Sequence, residues 1–334
     1  MSFPTFLAPG AAVVAAVVLL LTTGPSADAG NEPPAPPALD GATTRATTAA
    51  GAAARQSKVL LAAGDIACDP NSDSLGSAKA CKHRQVARLV NRQVRRGADW
   101  WVPLGDLQYE TGELGAFRKV YGRAFRAVKK VTKPVPGNHE YYGGGATGYF
   151  RFFGSRAGSQ QKPWRTFVAR PGWRVVLLDS NCSRVGGCGP TSRQGRWLRR
   201  TLARSQQRCV VAAWHHPLQT SGNYAGDADV QANARPLWRI ADAGGVDIVL
   251  NGHDHLYERF AKLGGVQEFL VGTGGKSHYY AKSRQPGSRS LIDGRYGVLK
   301  LTMKSHQKYS WTFLTTSGAA RDRGHGRCTN SPAR

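Results

Sequence analysis

Short apolar runs that end in glycine and a polar residue recur along the chain. "KVLLAAGD" (Lys58–Asp65) and "WVPLGD" (Trp101–Asp106) end in aspartate, whereas "CVVAAWHHP" and "GGVDIVLNGHDH" end in histidines. Apolar runs of this length, bounded by turn residues, are typical of strands buried inside a sheet. The segments "VQEFLVGTGG" and "YGVLKLTMKSHQKYSWTFLTT" predict further strands in the last third of the chain.

Segments with helical spacing separate the earlier runs. "KHRQVARLVNRQVRR" places apolar residues on one helical face and arginines on the other, which predicts an amphipathic surface helix. A basic helix is expected near Leu114–Val128, and "TSRQGRWLRRTLARSQQR" predicts another; "TFVARPGWRVVLLDS" predicts two strands around Pro171-Gly172. Strands that alternate with helices early and pair with one another late indicate a layered α/β domain on a mixed sheet.

The beginning of the chain resembles an export signal followed by a linker. An apolar stretch, Ala11–Leu21, precedes "PSADAG", whose Ala27-x-Ala29 offers small residues for cleavage before Gly30. The stretch is shorter than a bilayer requires, so we expect a signal peptide at 1–29 and no transmembrane segment after its removal. No Lys or Arg precedes the stretch, which leaves an uncleaved anchor as the alternative. Residues 30–57 are rich in Ala, Pro and Thr and predict a disordered linker.

Six cysteines fit an exported chain, because an even number in such chains usually forms disulfides. The spacing favours the pairs Cys68–Cys81, Cys182–Cys188 and Cys209–Cys328. A zinc cluster is the competing interpretation, but the sequence contains no C-x-x-C.

The formal net charge of +25 attracts anions, so phosphorylated small molecules or polyanions are the expected partners. No helix-turn-helix, zinc-finger or RNP-like signature accompanies the arginine-rich helices, so specific nucleic-acid recognition is not expected. "GTGGKS" (Gly272–Ser277) is not a nucleotide-binding P-loop, because that motif requires glycine where this chain has Leu270.

Five polar clusters follow predicted strands or turns, and all of them offer oxygen or imidazole ligands. They are "GDIA" with Asp65, "GDLQY" with Asp106 and Tyr109, "GNHE" with Asn138 and His139, "WHHP" with His215 and His216, and "GHDH" with His253 and His255. Each cluster alone is typical of a turn or a helix cap. Together they exceed one tetrahedral site and indicate two metal ions, an arrangement suited to in-line displacement at phosphorus.

The order GD…GDxxY…GNHE…H…GHxH resembles the calcineurin-like metallophosphoesterases, and the tyrosine resembles their purple acid phosphatase branch. The resemblance covers roughly Lys58 to Thr316. It implies an α/β fold, namely a four-layer α/β/β/α sandwich with mixed sheets. It also implies a catalytic domain at 58–316 and a C-terminal tail at 317–334.

Carried over residue by residue, the resemblance implies two metal sites that share one carboxylate. Asp106 bridges them; the first site adds Asp65, Tyr109 and His255, and the second adds Asn138, His215 and His253. His139 is not a ligand in this family and would act on the substrate. His216 and His278 are candidates for further substrate contacts. The alternative for His216 is a structural neighbour of His215, because adjacent side chains on an extended segment point to opposite faces.

Tyr109 has its own explanation within the resemblance. Ala67 occupies the position where most family members carry a histidine ligand, so Tyr109 replaces the lost ligand. Its hard phenolate oxygen favours Fe(III), while the second site accepts Fe, Zn or Mn. The alternative is a tyrosine that only covers the site.

The expected function is that of a secreted phosphoesterase that hydrolyses phosphomonoesters by in-line attack of a metal-bound hydroxide, with His139 assisting the leaving alcohol. A phosphodiesterase or nucleotidase of the same fold is the first alternative. A non-catalytic secreted protein that binds polyanions is the alternative from another class.

Overall fold

Residues 57–71 and 81–329 are described by the structure, which is a computed structural model. All of them belong to one structural unit, Thr48–Arg334. The expected signal peptide (1–29) and nearly all of the expected linker (30–57) lie outside the described residues.

The strands within the described residues are β1 (Lys58–Ala63), β2 (Trp100–Pro103), β3 (Arg165–Arg170), β4 (Trp173–Leu177), β5 (Cys209–Ala213), β6 (Ile248–Asn251), β7 (Tyr257–Phe260), β8 (Gln267–Val271), β9 (Ser288–Ile292), β10 (Gly297–Met303), β11 (Lys308–Thr315) and β12 (Ala320–Arg327). The α-helices there are α1 (His83–Arg95), α2 (Leu114–Lys119), α3 (Tyr121–Ala124), α4 (His139–Tyr142), α5 (Thr147–Phe153), α6 (Arg193–Ala203) and α7 (Ala228–Ala243). Short 3₁₀ helices cover Arg126–Val131, Gly154–Arg156 and Cys182–Arg184.

The strands form two mixed sheets. The five-stranded sheet has the order β12-β11-β10-β1-β2, and only its β1–β2 pair is parallel. The seven-stranded sheet has the order β3-β4-β5-β6-β8-β7-β9, with a parallel centre from β4 to β8 and antiparallel edges. The predicted α/β architecture with mixed sheets is therefore confirmed.

Alternation along the strands separates two hydrophobic cores. On β5, Val211 and Ala213 belong to the core between the two sheets, whereas Val210 and Ala212 face helices α6 and α7. This alternation is expected for a strand that is covered on both faces. Helix α1 buries its predicted apolar face on the other side of the five-stranded sheet. The layer order is accordingly helix, sheet, sheet, helix.

The three predicted disulfides are confirmed: Cys68–Cys81, Cys182–Cys188 and Cys209–Cys328. Among the described residues, no helix combines the length and the apolar character needed to cross a membrane.

Three local predictions differ from the structure. The helix expected near Leu114–Val128 is divided into α2, α3 and a 3₁₀ helix, a path that stacks Tyr121 on Phe125 with ring centroids 4.7 Å apart. Helix α7 was not predicted, because Pro236 interrupts its apolar pattern. Strand β12 lies within the stretch 317–334 that the resemblance assigns to a tail; it pairs with β11.

Candidate metal centre

The loops that follow β1, β2, β5 and β6 bring their polar side chains to one edge of the two sheets. Ligand sites commonly form where parallel strands end, because several loops converge there. Asp65, Asp106 and His253 hold left-handed backbone conformations, with φ of 63°, 51° and 79°. Such conformations cost about 1 kcal/mol or more for residues other than glycine, and they cluster at functional sites.

Two glycines of the motifs are required by close approach rather than by flexibility alone. A Cβ atom at Gly105 would overlap the ring of His215, and one at Gly137 would overlap the carboxylate of Asp106. Glycine in "GD" and "GNH" therefore allows backbone and ligand side chains to share a small volume.

The first group of predicted ligands surrounds the phenol of Tyr109. Its Oη lies 3.1 Å from Asp65 Oδ1, 3.2 Å from Asp106 Oδ2 and 2.9 Å from His255 Nε2. His255 Nε2 is also 3.4 Å from Asp65 Oδ1. The structure thus brings together the four side chains assigned to the first metal, all of them buried.

The second group surrounds the carbonyl oxygen of the Asn138 side chain. His215 Nε2 and His253 Nδ1 each lie 3.1 Å from Asn138 Oδ1 and 3.1 Å from each other. His215 Nε2 is 3.3 Å from Asp106 Oδ2, the same oxygen that faces Tyr109. Asp106 therefore lies between the two groups, as the bridging assignment requires. Ligand atoms of Asp106, His215 and His253 all lie within 4.8 Å of one another.

Among the predicted ligands that carry a second polar atom, nearly all have that atom hydrogen-bonded to another protein group. Asp65 Oδ2 accepts a hydrogen bond from the backbone N–H of His253 (2.9 Å), and Asp106 Oδ1 accepts one from His139 (2.9 Å). His215 Nδ1 donates to the Leu104 carbonyl at 2.8 Å. Similar contacts join His255 Nδ1 to Ser277 Oγ (3.0 Å) and Asn138 Nδ2 to Tyr142 Oη (2.8 Å). His253 is the exception, since its Nε2 has no hydrogen-bond partner among the described residues.

These contacts determine which atoms present lone pairs to the interior. Because its Nδ1 carries the proton shared with Leu104, a neutral His215 presents a lone pair at Nε2, which faces the oxygens of Asn138 and Asp106. Acceptors that face one another in a buried site repel unless a cation lies between them. Carboxylate, amide, imidazole and phenol donors suit hard or borderline metal ions, so these residues fit two bound metals.

The charges within the site support the same conclusion. Burial and the carboxylates of Asp106 and Asp65 raise the pKa of Tyr109, so its phenol ionises only beside a compensating positive charge. Burial would raise the pKa of Asp106, but His215 and His139 hold it well below its usual range. The lowered pKa favours the ionised form of Asp106, which is the form that can bind a cation.

His139 borders the two groups without joining either. Its Nδ1 donates to the Glu110 carbonyl at 2.6 Å, and its Nε2 lies 3.9 Å from Asp106 Oδ2. The ring packs on Tyr109 with centroids 4.2 Å apart and remains partly exposed. This position agrees with a group that faces the substrate.

The two additional histidine candidates have different surroundings. His216 lines a cavity beside the centre, with its ring 4.6 Å from that of His253. The ring of His278 instead packs at an angle against Tyr296, with ring centroids 3.8 Å apart.

Sequence reasoning missed Glu140, the last residue of "GNHE". Its buried carboxylate accepts backbone hydrogen bonds from Asp106, Leu107, Gln108 and Gly137 at 2.7–3.2 Å. It therefore fixes the loop that carries Asp106 and Tyr109. An acidic residue directly after a candidate ligand was the available signal, but three of the four donors come from another loop and cannot be identified from the sequence.

Comparisons with known proteins place this geometry in a family. The profile of the calcineurin-like phosphoesterases matches residues 59–257. The tartrate-resistant acid phosphatase type 5 of Rattus norvegicus is 25% identical over 239 residues, covering 64% of this chain and 71% of that protein.

Two solved structures share the fold at lower sequence identity. The purple acid phosphatase from yellow lupin (Lupinus luteus) seeds has a TM-score of 0.69 and 17% identity, and the match covers 80% of this chain. The chain spans about half of the lupin protein's length, at 53%. An anchor protein of the Plasmodium inner membrane complex has a TM-score of 0.58 and 11% identity, covering 82% of this chain and 90% of that one. From the profile match and the convergent ligand set, the chain belongs to the calcineurin-like phosphoesterase family of metallophosphoesterases.

Proposed function

We propose that this protein is a dinuclear metal-dependent hydrolase of phosphomonoesters. The proposed ligands of the first metal are Asp65, Asp106, Tyr109 and His255, and those of the second are Asp106, Asn138, His215 and His253. One observation carries the proposal: acceptor atoms from five loops face one another in a buried site, with Asp106 Oδ2 between the two groups. The likeness to acid phosphatases supports the monoester assignment.

Two bound cations supply charge neutralisation at phosphorus and lower the pKa of a coordinated water. The chain's own residues orient and protonate the substrate. His139 donates its Nδ1 proton to the Glu110 carbonyl, which directs Nε2 toward the centre. A proton held at Nε2 can pass to the leaving oxygen, a transfer that general acids of this kind accelerate.

The metal identities follow from ligand chemistry. A phenolate at Tyr109 is a hard anionic oxygen and favours Fe(III) at the first site. The amide and imidazole ligands of the second site accept Fe, Zn or Mn. Elemental analysis of the purified protein tests this assignment, and an iron-free active protein would contradict it.

The test is phosphate release from an aryl phosphomonoester beside its diester, with Asp106→Ala as the matched variant. We expect hydrolysis of the monoester by the natural chain and its loss in Asp106→Ala, because that carboxylate contacts both ligand groups. A variant that keeps near-normal turnover would contradict the bridging role.

The same assay separates the alternatives. A preference for the diester would support a phosphodiesterase built on this fold. No activity on either ester after loading with iron, zinc or manganese would support the polyanion-binding protein.

We further propose export after cleavage before Gly30, with a linker at 30–57 and a catalytic domain that begins at residue 58 and includes strand β12. The three disulfides support an oxidising compartment. Amino-terminal sequencing of protein recovered outside the cells tests the proposal, and an intact start at Met1 would contradict it.

A further inference from the structure

A cavity of about 370 Å³ opens beside the second ligand group. Asn138, His139 and His253 form its inner wall, so it begins where the phosphoryl group would lie. It extends from there toward the first turn of α7 and the 3₁₀ helix at Cys182–Arg184. A cavity of this size accommodates a leaving group comparable to a monosaccharide or nucleoside.

His216 presents a hydrogen-bond donor to this cavity. Ser180 Oγ accepts a hydrogen bond from the backbone N–H of His216 at 3.0 Å and lies 2.8 Å from Nδ1 of the His216 ring. Ser180 is fully buried, so its hydroxyl hydrogen points to Nδ1 as the nearby acceptor. The ring proton of His216 is consequently on Nε2. Within the described residues, no group accepts a hydrogen bond from that atom.

The opposite wall of the cavity presents both hydrogen-bond acceptors and hydrogen-bond donors. The side-chain amide of Asn181 donates to Asp179 at 2.8 Å, which leaves its carbonyl oxygen as an acceptor. Asn233 has the reverse arrangement, because its oxygen accepts from the backbone of Cys182 at 3.3 Å and its amide remains a donor. Arg184 and Asp229 add one exposed donor and one exposed acceptor at the outer end.

Two tyrosine rings flank the cavity on the side of the metal centre. Tyr224 packs on His253 with ring centroids 4.2 Å apart, and Tyr142 packs on His139 at 4.8 Å. Asp254 holds the loop of Tyr224 through the backbone N–H groups of Asn223 and Tyr224 at 3.1 and 3.2 Å. The rings provide flat apolar surfaces, and Tyr142 is 59% exposed.

We infer that this cavity binds the leaving group of the substrate and that this leaving group carries several hydroxyls, as a sugar or a ribose does. A hydroxyl both donates and accepts, which matches a wall where donors and acceptors alternate. A leaving group without hydroxyls would leave the buried side chains of His216 and Asn181 without partners in the cavity, and that loss discriminates between substrates. The inference rests on the proposed phosphomonoesterase function.

The experiment compares kcat/KM for ribose 5-phosphate, adenosine 5′-monophosphate and phenyl phosphate. The variants are Asn233→Ala and the exposed Asp229→Ala, with Arg235→Ala as the control on the same helix but outside the cavity. We expect the ratio of kcat/KM for ribose 5-phosphate to that for phenyl phosphate to fall about tenfold in Asn233→Ala. A smaller fall is expected in Asp229→Ala and none in Arg235→Ala.

The outcomes separate the two proposals. An equal fall in the kcat/KM ratio for adenosine 5′-monophosphate would identify the ribose hydroxyls as the group that the cavity binds in both substrates. A fall for only one substrate would identify the leaving group of that substrate as the one bound. Unchanged ratios in both cavity variants, with phenyl phosphate still hydrolysed, would overturn this inference alone. No hydrolysis of phenyl phosphate by the natural chain would instead contradict the proposed function.

Discussion

Five of the seven ligands of the proposed centre direct one atom inward because another protein group holds their second polar atom. Four of these five contacts reach groups on other loops, including Leu104 and Ser277, and the fifth joins Asn138 to Tyr142 in the same segment. Outer contacts of this kind orient ligands and tune metal affinity. Glu140 acts one step further out, because it holds the backbone of Asp106 itself.

Replacing Glu140 tests this outer arrangement. In Glu140→Gln, the amide places N–H donors against the backbone N–H groups that the carboxylate now binds, so the Asp106 loop loosens. We expect metal affinity to fall by about 10-fold to 100-fold, measured by competition with a chelator. Glu113→Gln is the matched control, since Glu113 is an exposed glutamate at the start of helix α2. Equal affinity in both variants would contradict the positioning role.

The ligand types could be predicted from the sequence, whereas their supports could not. A carboxylate or imidazole after a strand is visible as a pattern, and the seven proposed ligands meet in the structure with short separations. The contacts of Glu140 with the Asp106 loop and the Ser180–His216 contact join loops that are 30 or more residues apart. Periodicity carries no information about such pairs.

At the scale of elements, most strands were predictable, whereas strands β7, β9 and β12 and helices α4, α5 and α7 were not. The predictable strands are short buried runs bounded by glycine or a polar residue, as in β1 and β6. Helix α7 was not predicted because it contains Pro236. Asp227 caps the start of this helix by accepting a hydrogen bond from the Val230 N–H at 2.9 Å. The aromatic cluster around Tyr121 divides the helix expected at Leu114–Val128, and that cluster forms only in the folded chain.

The disulfides make a prediction about how elements are held together. Cys209–Cys328 joins the start of β5 to the residue after β12 across 119 residues, whereas Cys182–Cys188 closes a loop of only 6. Cross-links that close longer loops restrict the unfolded chain more. We expect the free energy of unfolding to fall by about 2–5 kcal/mol when the long-range pair is replaced by alanines, measured with denaturant. A larger loss from the short-range pair would contradict this order.

At the scale of the whole molecule, a buried carboxyl gives stability an unusual pH dependence. Burial raises the pKa of Glu268 from 4.5 to about 7, despite hydrogen bonds from Gln219 and the Leu218 backbone. The folded protein therefore binds a proton that the unfolded chain has lost. This contribution is complete below pH 4.5 and disappears as pH rises through about 7.

Thermal or denaturant unfolding between pH 5 and pH 8 measures the effect. We expect the natural chain to lose up to about 3 kcal/mol over this range from Glu268 alone. Glu268→Gln cannot titrate and should flatten the decline. An identical pH dependence in the variant would show that Glu268 shares its ionisation state with the unfolded chain.

The molecule's net charge of +25 and its cavity of polar groups suit the capture of small anionic esters, but the metal centre is the central claim. The most direct test is the number and position of bound ions, determined by elemental analysis and anomalous diffraction on the natural chain and on Asp106→Ala. We predict two ions in the natural chain, one beside Tyr109 and one beside Asn138, and a reduced content in the variant. A single ion, or ions away from Asp106, would contradict the account.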